Sequence, residues 1–392
     1  MRELGRVARA ALAIDRGRFV YVGPEARWRR EVRLRSGGSL WSAGDGTVVP
    51  GFVDPHTHVL FAGDRAAEID LKIAGASYVE TARQGGGLFQ TVRATRRAST
   101  PLLLRSAEAR LRRMAAMGTT TCEVKSGYAL TPAGEQRLLS LVPTLARRTG
   151  LRLVPTFLGA HAVPPEYADR PDAYVSALIQ QALPVIARRR LADFCDAFCE
   201  PGFFSVDQTE RLLVAAHALG LGMKVHAEEF VRSGGAALAA RLGCRSAEHL
   251  LESSEEDRLA LAAAGVTAVL LPVTPFASFA KRPSPGREMV DAGVPVAVGT
   301  DLSPNSWVES MPLVLSHSVY GARLTPSEAL TAATVNAAHA IGLPEEAGTI
   351  AVGRTADLVA FDVPSVEHIP YRFGLTPERV YRRGIRFPPA VD

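Results

Sequence analysis

The sequence is poor in features that mark secreted, membrane-spanning or disulfide-stabilised proteins. It has four cysteines in 392 residues, without Cys-X-X-Cys spacing, so a small disulfide scaffold is excluded. Its longest apolar runs, such as residues 267–273, are shorter than the ~18 residues of a membrane-spanning helix. The apolar patch at residues 10–14 is too short for a secretory signal. We therefore expect a cytoplasmic protein with reduced thiols and no membrane partner.

Lysine is also scarce, although the chain is basic. Lysine and arginine total 45 residues and the formal net charge is +5, yet lysine occurs only at Lys72, Lys125, Lys224 and Lys281. The many arginines are spread over helical, surface-like segments without interleaved aromatic residues. This pattern favours a compositional bias towards arginine over a nucleic-acid-binding surface, so we expect no nucleic-acid partner.

Strand-like and helix-like segments alternate between about residues 50 and 345, a pattern typical of βα units around a parallel sheet. Eight strands are predicted, at residues 48–58, 119–125, 151–159, 192–199, 222–227, 246–249, 266–273 and 294–300. Eight such units predict an α/β protein built on a (β/α)8 TIM barrel.

The two ends of the chain carry further strand patterns, at residues 18–23 and 348–361. Each end is too short to form a core of its own. We expect them to pair as one small β-sandwich domain, residues 1–48 with 347–392, beside a catalytic barrel of residues 49–346.

Histidines and an aspartate occur where the predicted barrel strands end. His56 and His58 are two residues apart on the first strand, so their side chains point to the same side. His226 ends the fifth strand, His249 the sixth and Asp301 the eighth. All strand C-termini open on the same face of a barrel, and we therefore expect these five side chains to meet.

Three imidazoles and a carboxylate suit a divalent metal such as zinc or iron, with one position left for water. We predict His56, His58, His226 and Asp301 as ligands. A second metal would need a bridging ligand, and Lys125 ends the second strand rather than the third or fourth. One metal ion per subunit is therefore expected, to make water a nucleophile at neutral pH.

The residues that would move protons are less well defined by the sequence. Glu229 lies three residues after His226, at the predicted mouth of the barrel, and its neighbour Glu228 competes for the same role. His249 is predicted to orient or deprotonate water or to stabilise an oxyanion. Either Glu229 or Asp301 would deliver a proton to the leaving nitrogen.

The order of these residues resembles that of the amidohydrolase superfamily. Several further blocks are similar to the imidazolonepropionase family in particular. They lie at residues 54–68, 75–78, 85–87, 91–96, 123–128, 157–161 and 369–374. A phosphate-binding pattern of the GxxxxGK[ST] type is absent, so the glycines at residues 85–87 predict a flexible active-site loop.

The resemblance implies hydrolysis of 4-imidazolone-5-propanoate to N-formimidoyl-L-glutamate in histidine degradation. It also implies one zinc or iron ion and a homodimer. Substrate-binding roles are implied for Arg65, Tyr128, His161 and Glu229. Arg65 would bind the propionate carboxylate, or instead form an ion pair with a nearby acidic residue, Glu68 or Asp70.

The chain departs from the family pattern at two places. After Asp301 the family usually reads Asn, Pro, Gly and then Ser or Thr, whereas this chain has Ser303, Pro304, Asn305 and Ser306. Asparagine replaces glycine well where φ is positive, so we expect Ser303, Asn305 and Ser306 to contact substrate with altered affinity. The N-terminal β-segment is also expected to lack its first strands.

Two other functions are compatible with the same residues. One is a different mononuclear amidohydrolase, such as a purine or pyrimidine aminohydrolase, for which Arg65 would have no carboxylate to bind. The other is a catalytically idle, metal-binding descendant of the family. Glu229 and His249 argue against the idle protein, because a bare metal site needs neither.

Overall fold

The computed structural model describes residue 1, residues 3–75 and residues 86–388. In chain order the strands are β1 (Ala10–Asp15), β2 (Arg18–Pro24), β3 (Thr47–Pro50), β4 (Phe52–Asp54), β5 (Thr119–Lys125), β6 (Arg152–Ala160), β7 (Phe194–Cys199), β8 (Gly222–Ala227), β9 (Ser246–His249), β10 (Thr267–Leu270), β11 (Val296–Val298), β12 (Leu358–Phe361), β13 (Arg379–Arg382) and β14 (Ile385–Arg386).

The α-helices span Glu25–Glu31, Ile69–Ile73, Gly87–Arg97, Thr100–Ala116, Pro132–Leu139, Val142–Thr149, Pro171–Ala177, Leu183–Arg189, Val206–Ala218, Gly235–Leu242, Glu255–Ala264, Val273–Ala277, Gly286–Asp291, Met311–Tyr320, Pro326–Ala332, Val335–Ala340 and His368–Tyr371. Short 3-10 turns lie at Ala66–Glu68 and Pro165–Tyr167, and a π turn at Leu178–Ala182.

Strands β4 to β11 form one parallel sheet in which each strand neighbours the next along the chain. Just beyond β4 and β11, Thr57 and Leu302 form a parallel bridge, and the His58 amide donates to the Leu302 carbonyl at 2.8 Å. The sheet is therefore nearly closed, and the predicted (β/α)8 barrel is confirmed.

The barrel core follows from the pattern of apolar residues. Every residue of β5 is buried, as expected for a parallel strand with the barrel interior on one side and helices on the other. The helix Thr100–Ala116 buries Leu103, Ala107, Leu111 and Met114 along one face, at the three- and four-residue spacing that the sequence shows. The helices thus pack their apolar faces against the barrel wall.

The predicted first strand, residues 48–58, is two shorter strands separated at Gly51. A Cβ atom on Gly51 would lie 2.3 Å from Oγ1 of Thr120, so only glycine allows the chain to pass the neighbouring strand this closely. Before the break, β3 belongs to a different sheet, whereas β4 begins the barrel.

The chain ends contribute a small antiparallel sheet with strand order β14-β13-β12-β3. Strands β1 and β2 form a hairpin, and Phe19 joins it to the C-terminal part: its amide donates to the carbonyl of Arg354 and its carbonyl accepts from Gly353. The predicted composite of both chain ends is present. Its boundaries at residues 48 and 346 stay a prediction.

Gly85 of the predicted glycine-rich loop lies outside the described residues, as do residues 76–78 of another block that carries the family resemblance. Gly87 begins the helix Gly87–Arg97. Among the helices that the structure describes, none is long and apolar enough to cross a membrane.

Candidate metal-dependent active site

Three predicted ligands converge where β4 and β11 end. Nε2 of His56 lies 3.1 Å from Nε2 of His58. Oδ1 of Asp301 lies 3.5 Å from Nε2 of His56 and 3.6 Å from Nε2 of His58. All three side chains are buried, so the arrangement offers two nitrogens and an oxygen to a common point.

The fourth predicted ligand, His226, lies beside this group. Its ring centre is 4.6 Å from that of His56 and 5.2 Å from that of His249. Nε2 of His226 is buried and has no hydrogen-bond partner among the described residues. A buried ring nitrogen without a partner is costly unless something fills its lone pair, and a metal ion would do so.

The donor set fits a metal ion by its chemistry as well as its placement. The atoms of His56, His58 and Asp301 lie within 4.8 Å of one another, as do those of His56, His226 and His249. Neutral imidazole nitrogens with a carboxylate are the ligands of zinc and of iron. Burial, together with the neighbouring His161 and His56, lowers the pKa of His58 well below its usual range, which favours the neutral ring.

His249 and Asp301 both reach the site through unusual backbone. Their φ angles are +69° and +51°, and Glu228 has φ +54° at the end of β8. Side chains other than glycine rarely adopt this left-handed conformation, and such residues cluster at functional sites where the surrounding fold holds them. The strands therefore end in turns that aim these side chains into the barrel mouth.

The structure separates the two competing glutamates. Glu228 accepts hydrogen bonds from the amides of Ser233 (2.7 Å), Gly234 (3.1 Å) and Ala236 (3.0 Å), so it caps the start of the helix Gly235–Leu242. Glu229 instead places Oε2 3.7 Å from Nε2 of His249. Of the two, Glu229 faces the histidines.

The environment of Glu229 favours its protonated form. Burial, and then the negative charges of Asp301 and Glu200, raises its pKa well above the usual range. Burial also lowers the pKa of His249 well below its usual range, helped by His226 and His56. A carboxyl group with a raised pKa beside a neutral imidazole is suited to proton transfer.

Glu200, which the sequence reading did not single out, holds the segment that carries Glu229. Its buried carboxylate accepts from the amides of Glu229 (3.3 Å), Phe230 (3.1 Å) and Val231 (2.7 Å). Burial raises the pKa of Glu200 to about 7 despite these hydrogen bonds. The sequence carries one signal that could have identified Glu200, namely its position as an acidic residue directly after a buried strand.

Two of the residues predicted to bind substrate lie against the histidines. The ring of His161 stacks on that of His58 at 5.1 Å and 16°. Tyr128 lies 5.8 Å from His58 and 5.2 Å from His161, measured between ring centres. Burial lowers the pKa of His161 to about 3, so it faces the site as a neutral ring.

Arg65 forms the ion pair that was one of its two predicted roles. Its Nε and Nη2 atoms each lie 2.7 Å from Oε2 of Glu68, and both side chains are buried. Glu68 also accepts from the amide of Gly87 at 2.7 Å. The pair thus links the segment after β4 to the start of the helix Gly87–Arg97, and a substrate role for Arg65 stays a prediction.

The loop after Asp301 is folded on itself. The Ser303 amide donates to the Ser306 carbonyl at 3.0 Å, and the Ser306 amide donates to Oγ of Ser303 at 3.2 Å. The carbonyl of Asn305 accepts from Lys72 at 3.1 Å. The positive φ in this segment belongs to Asp301 and not to Asn305, so asparagine here is not a substitute for glycine in left-handed backbone.

Five further charged side chains lie fully buried beneath the histidines, and the sequence reading assigned none of them to the site. They are Glu123, Lys125, Asp196, Lys224 and Glu248. Their spacing along the strands was the signal in the sequence that could have found them. Residues two apart share a face of a strand, as Glu123 and Lys125 do on β5, and as Lys224 and His226 do on β8. Charged residues on the buried strands therefore indicate the position of the site, as the histidines do.

Comparison with known proteins agrees with this geometry. The family model described as "Amidohydrolase family" matches residues 47–385. The imidazolonepropionase of Symbiobacterium thermophilum is 47% identical over 98% of this chain and 91% of its own. That of Geobacillus kaustophilus is 43% identical over 96% and 89%. The chain belongs to the imidazolonepropionase family of amidohydrolases.

This membership confirms the predicted enzyme class, a hydrolase acting on a cyclic amide, and supports metal use by the buried cluster. Solved structures of lower identity share the fold. A triazine hydrolase variant has a TM-score of 0.74 at 16% identity, covering 96% of this chain and 89% of its own. A zinc-bound adenosine deaminase of Xanthomonas campestris has a TM-score of 0.69 at 19% identity, covering 97% and 88%.

Proposed function

We propose that this site opens the ring of 4-imidazolone-5-propanoate to give N-formimidoyl-L-glutamate, using one zinc or iron ion per subunit. The observation that carries the proposal is the convergence of His56, His58, His226 and Asp301 beside Glu229 and His249, in a chain 47% identical to an imidazolonepropionase. The cluster supplies ligands, and the last two residues supply proton-transfer groups.

The proposed ligands are His56, His58, His226 and Asp301, through three ring nitrogens and one carboxylate oxygen. A divalent ion held there supplies Lewis acidity towards the ring carbonyl and makes water a nucleophile at neutral pH. Burial of the ligands excludes bulk water, which strengthens their electrostatic effect. His249 donates a hydrogen bond to the oxygen that becomes negative when the carbonyl is attacked.

Glu229 is the proposed proton carrier. Water adds to the carbonyl carbon and loses a proton, the ring C–N bond breaks, and the leaving nitrogen takes up the proton that Glu229 gives. The proton lost by the water restores the acid form of Glu229. Both carboxylate oxygens of Asp301 already have neighbours: Oδ2 accepts a hydrogen bond from Thr274, and Oδ1 faces two histidines. Glu229 is 12% exposed at the mouth of the site and has a raised pKa, which favours it over Asp301 for this transfer.

Substrate is held by residues around the mouth. We assign Tyr128 and His161 to the imidazolone ring, because both pack against His58. Arg65 is assigned to the propionate carboxylate, because a guanidinium forms charge-assisted hydrogen bonds with carboxylates. The loop residues Ser303, Asn305 and Ser306 are assigned to one edge of the substrate, because they follow Asp301 directly.

The proposal also covers the cellular compartment, the assembly and the partners of the enzyme. Its four cysteines are free and buried, which suits a reducing cytoplasm. The family resemblance favours a homodimer. The arginines follow no aromatic-interleaved pattern, which favours a small molecule alone as partner over nucleic acid.

A substrate comparison tests the reaction. Purified, zinc-loaded protein is offered imidazolonepropionate, guanine, adenosine and cytosine, and ring opening and ammonia release are measured in parallel. Ring opening of imidazolonepropionate with no ammonia release from the bases is the expected result. Faster deamination of a base would identify a different amidohydrolase, and no turnover of any substrate by metal-loaded protein would identify an idle descendant.

A further inference from the structure

We propose that Asp196 and Glu248, anchored by Lys125 and Lys224, are positioning residues that keep a proton on Nδ1 of His226 and of His56. Each ring then presents the lone pair of Nε2 to the metal. The inference rests on the proposed metal site and extends it to the five buried charges that lie beneath the proposed ligands.

The five charges form a continuous network inside the barrel. Nζ of Lys125 lies 2.7 Å from Asp196, 2.8 Å from Glu248 and 2.9 Å from Glu123. Nζ of Lys224 lies 2.7 Å from Glu123 and 2.8 Å from Glu248. Each of these side chains is 0% exposed, so the lysines fix the carboxylate oxygens in place.

Two members of the network face the histidines. Oε2 of Glu248 lies 2.5 Å from Nδ1 of His56, and Oδ2 of Asp196 lies 3.0 Å from Nδ1 of His226. In His56 the opposite nitrogen, Nε2, lies 3.1 Å from Nε2 of His58. Nε2 of His226 is buried and has no hydrogen-bond partner among the described residues. A carboxylate beside Nδ1 favours the tautomer with hydrogen there and makes the other nitrogen a better ligand.

The charge balance supports the same assignment. Three carboxylates face two ammonium groups, which leaves one negative charge beside the two Nδ1 atoms. Burying ions costs several kcal/mol each, and apolar side chains of similar size often stabilise a fold as well or better. A network of five buried charges is therefore poorly explained by stability alone, whereas orientation of two ligands accounts for its position.

The network also explains Lys125, which ends β5 and is fully buried inside the barrel. The sequence does not favour Lys125 as a ligand that bridges two metals, because it ends the second predicted strand rather than the third or fourth. Its ammonium is instead surrounded by Asp196, Glu123 and Glu248 within 2.9 Å. Lys125 thus anchors the carboxylates that act on the ligands.

The test measures zinc affinity by competition with a chelator and does not depend on activity. Asp196→Asn and Glu248→Gln keep side-chain volume and remove the charge beside one histidine. We expect each to weaken zinc binding roughly 10- to 100-fold, as loss of such outer partners typically does. Glu328→Gln is the matched control, because Glu328 is a fully buried carboxylate paired with Arg287 at 3.1 Å, outside the barrel interior.

A second measurement uses the wild-type protein, so it does not depend on whether a variant folds. In zinc-loaded protein labelled with 15N-histidine, NMR should show ring N–H protons on Nδ1 of His56 and His226. Protons on Nε2 instead, or variants whose zinc affinity falls no more than that of Glu328→Gln, would overturn the inference. Failure of the metal site itself is distinguishable, because wild-type protein would then bind zinc no more tightly than His56→Ala.

Discussion

The hydroxyl of Thr274 donates a hydrogen bond to Oδ2 of Asp301 at 2.9 Å. This contact turns the other oxygen, Oδ1, towards the Nε2 atoms of His56 and His58, 3.5 and 3.6 Å away. Thr274 lies in the helix Val273–Ala277, which follows β10, and Asp301 follows the neighbouring strand β11. Residues at the ends of two neighbouring strands therefore orient this carboxylate.

The contact gives a graded prediction for metal binding. Asp301→Ala should lose both metal and activity, because it removes a proposed ligand. Thr274→Val keeps Asp301 but removes the hydrogen bond that orients its carboxylate, and should weaken zinc binding by roughly 10-fold. Zinc content after dialysis and chelator competition check both. Equal zinc affinity in Asp301→Ala and wild type would remove Asp301 from the ligand set.

Glu229→Gln should separate binding from turnover. The amide keeps the size of the side chain but carries no proton for transfer, so we expect kcat to fall roughly 100- to 10,000-fold with zinc content unchanged. Steady-state kinetics and metal analysis on the same preparation measure both quantities. Glu228→Gln is the comparison, because Glu228 caps a helix: it should lower thermal stability more than Glu229→Gln does. A normal rate for Glu229→Gln would sink the proposed role.

Arg65 and Glu68 allow a test of substrate binding. If Arg65 holds the propionate equally in ground and transition states, Arg65→Ala should raise KM with little change in kcat. Glu68→Gln removes the ion pair but keeps the guanidinium, so its KM should stay nearer the wild-type value. An Arg65→Ala protein with lower thermal stability and unchanged KM would show that the arginine serves only the ion pair.

Glu200 gives a pH dependence of stability. Its pKa in the folded protein is about 7, raised by burial from an ordinary value of 4.5. The folded state therefore holds this proton more tightly than the unfolded chain, and the resulting stability is present below pH 4.5 and is lost as the pH rises through 7. Glu200→Gln does not titrate and so lacks this loss of stability. The melting temperature of the variant minus that of the wild type should therefore increase between pH 4.5 and 7. Thermal melts across that range measure the difference, and a constant difference would contradict the assignment.

Much of the fold was predictable from local patterns. The eight barrel strands follow from apolar segments spaced by amphipathic helices, and five site residues follow from the rule that parallel strands end on one face. The break at Gly51 was not predictable, since it depends on the approach of Thr120 from the neighbouring strand. Local patterns carry no information on such contacts.

The parts of the site that escaped prediction are those set by tertiary packing. The choice between Glu228 and Glu229 depends on which carboxylate meets the amides of residues 233–236. The pairing of Lys125 with three carboxylates depends on side chains from three strands meeting inside the barrel. Spacing along one strand identifies the face, whereas the partner on another strand appears only in the folded chain.

The most direct test follows the ultraviolet absorbance of the imidazolone ring, with substrate generated in place from urocanate. Zinc-loaded protein, chelated protein and an enzyme-free blank are compared, the last to correct for spontaneous decay. The account predicts rapid loss of absorbance with zinc-loaded protein, the blank rate after chelation, and recovery when zinc or iron is restored. A full rate from protein shown to be metal-free, or no rate above the blank from folded and metal-loaded protein, would contradict it.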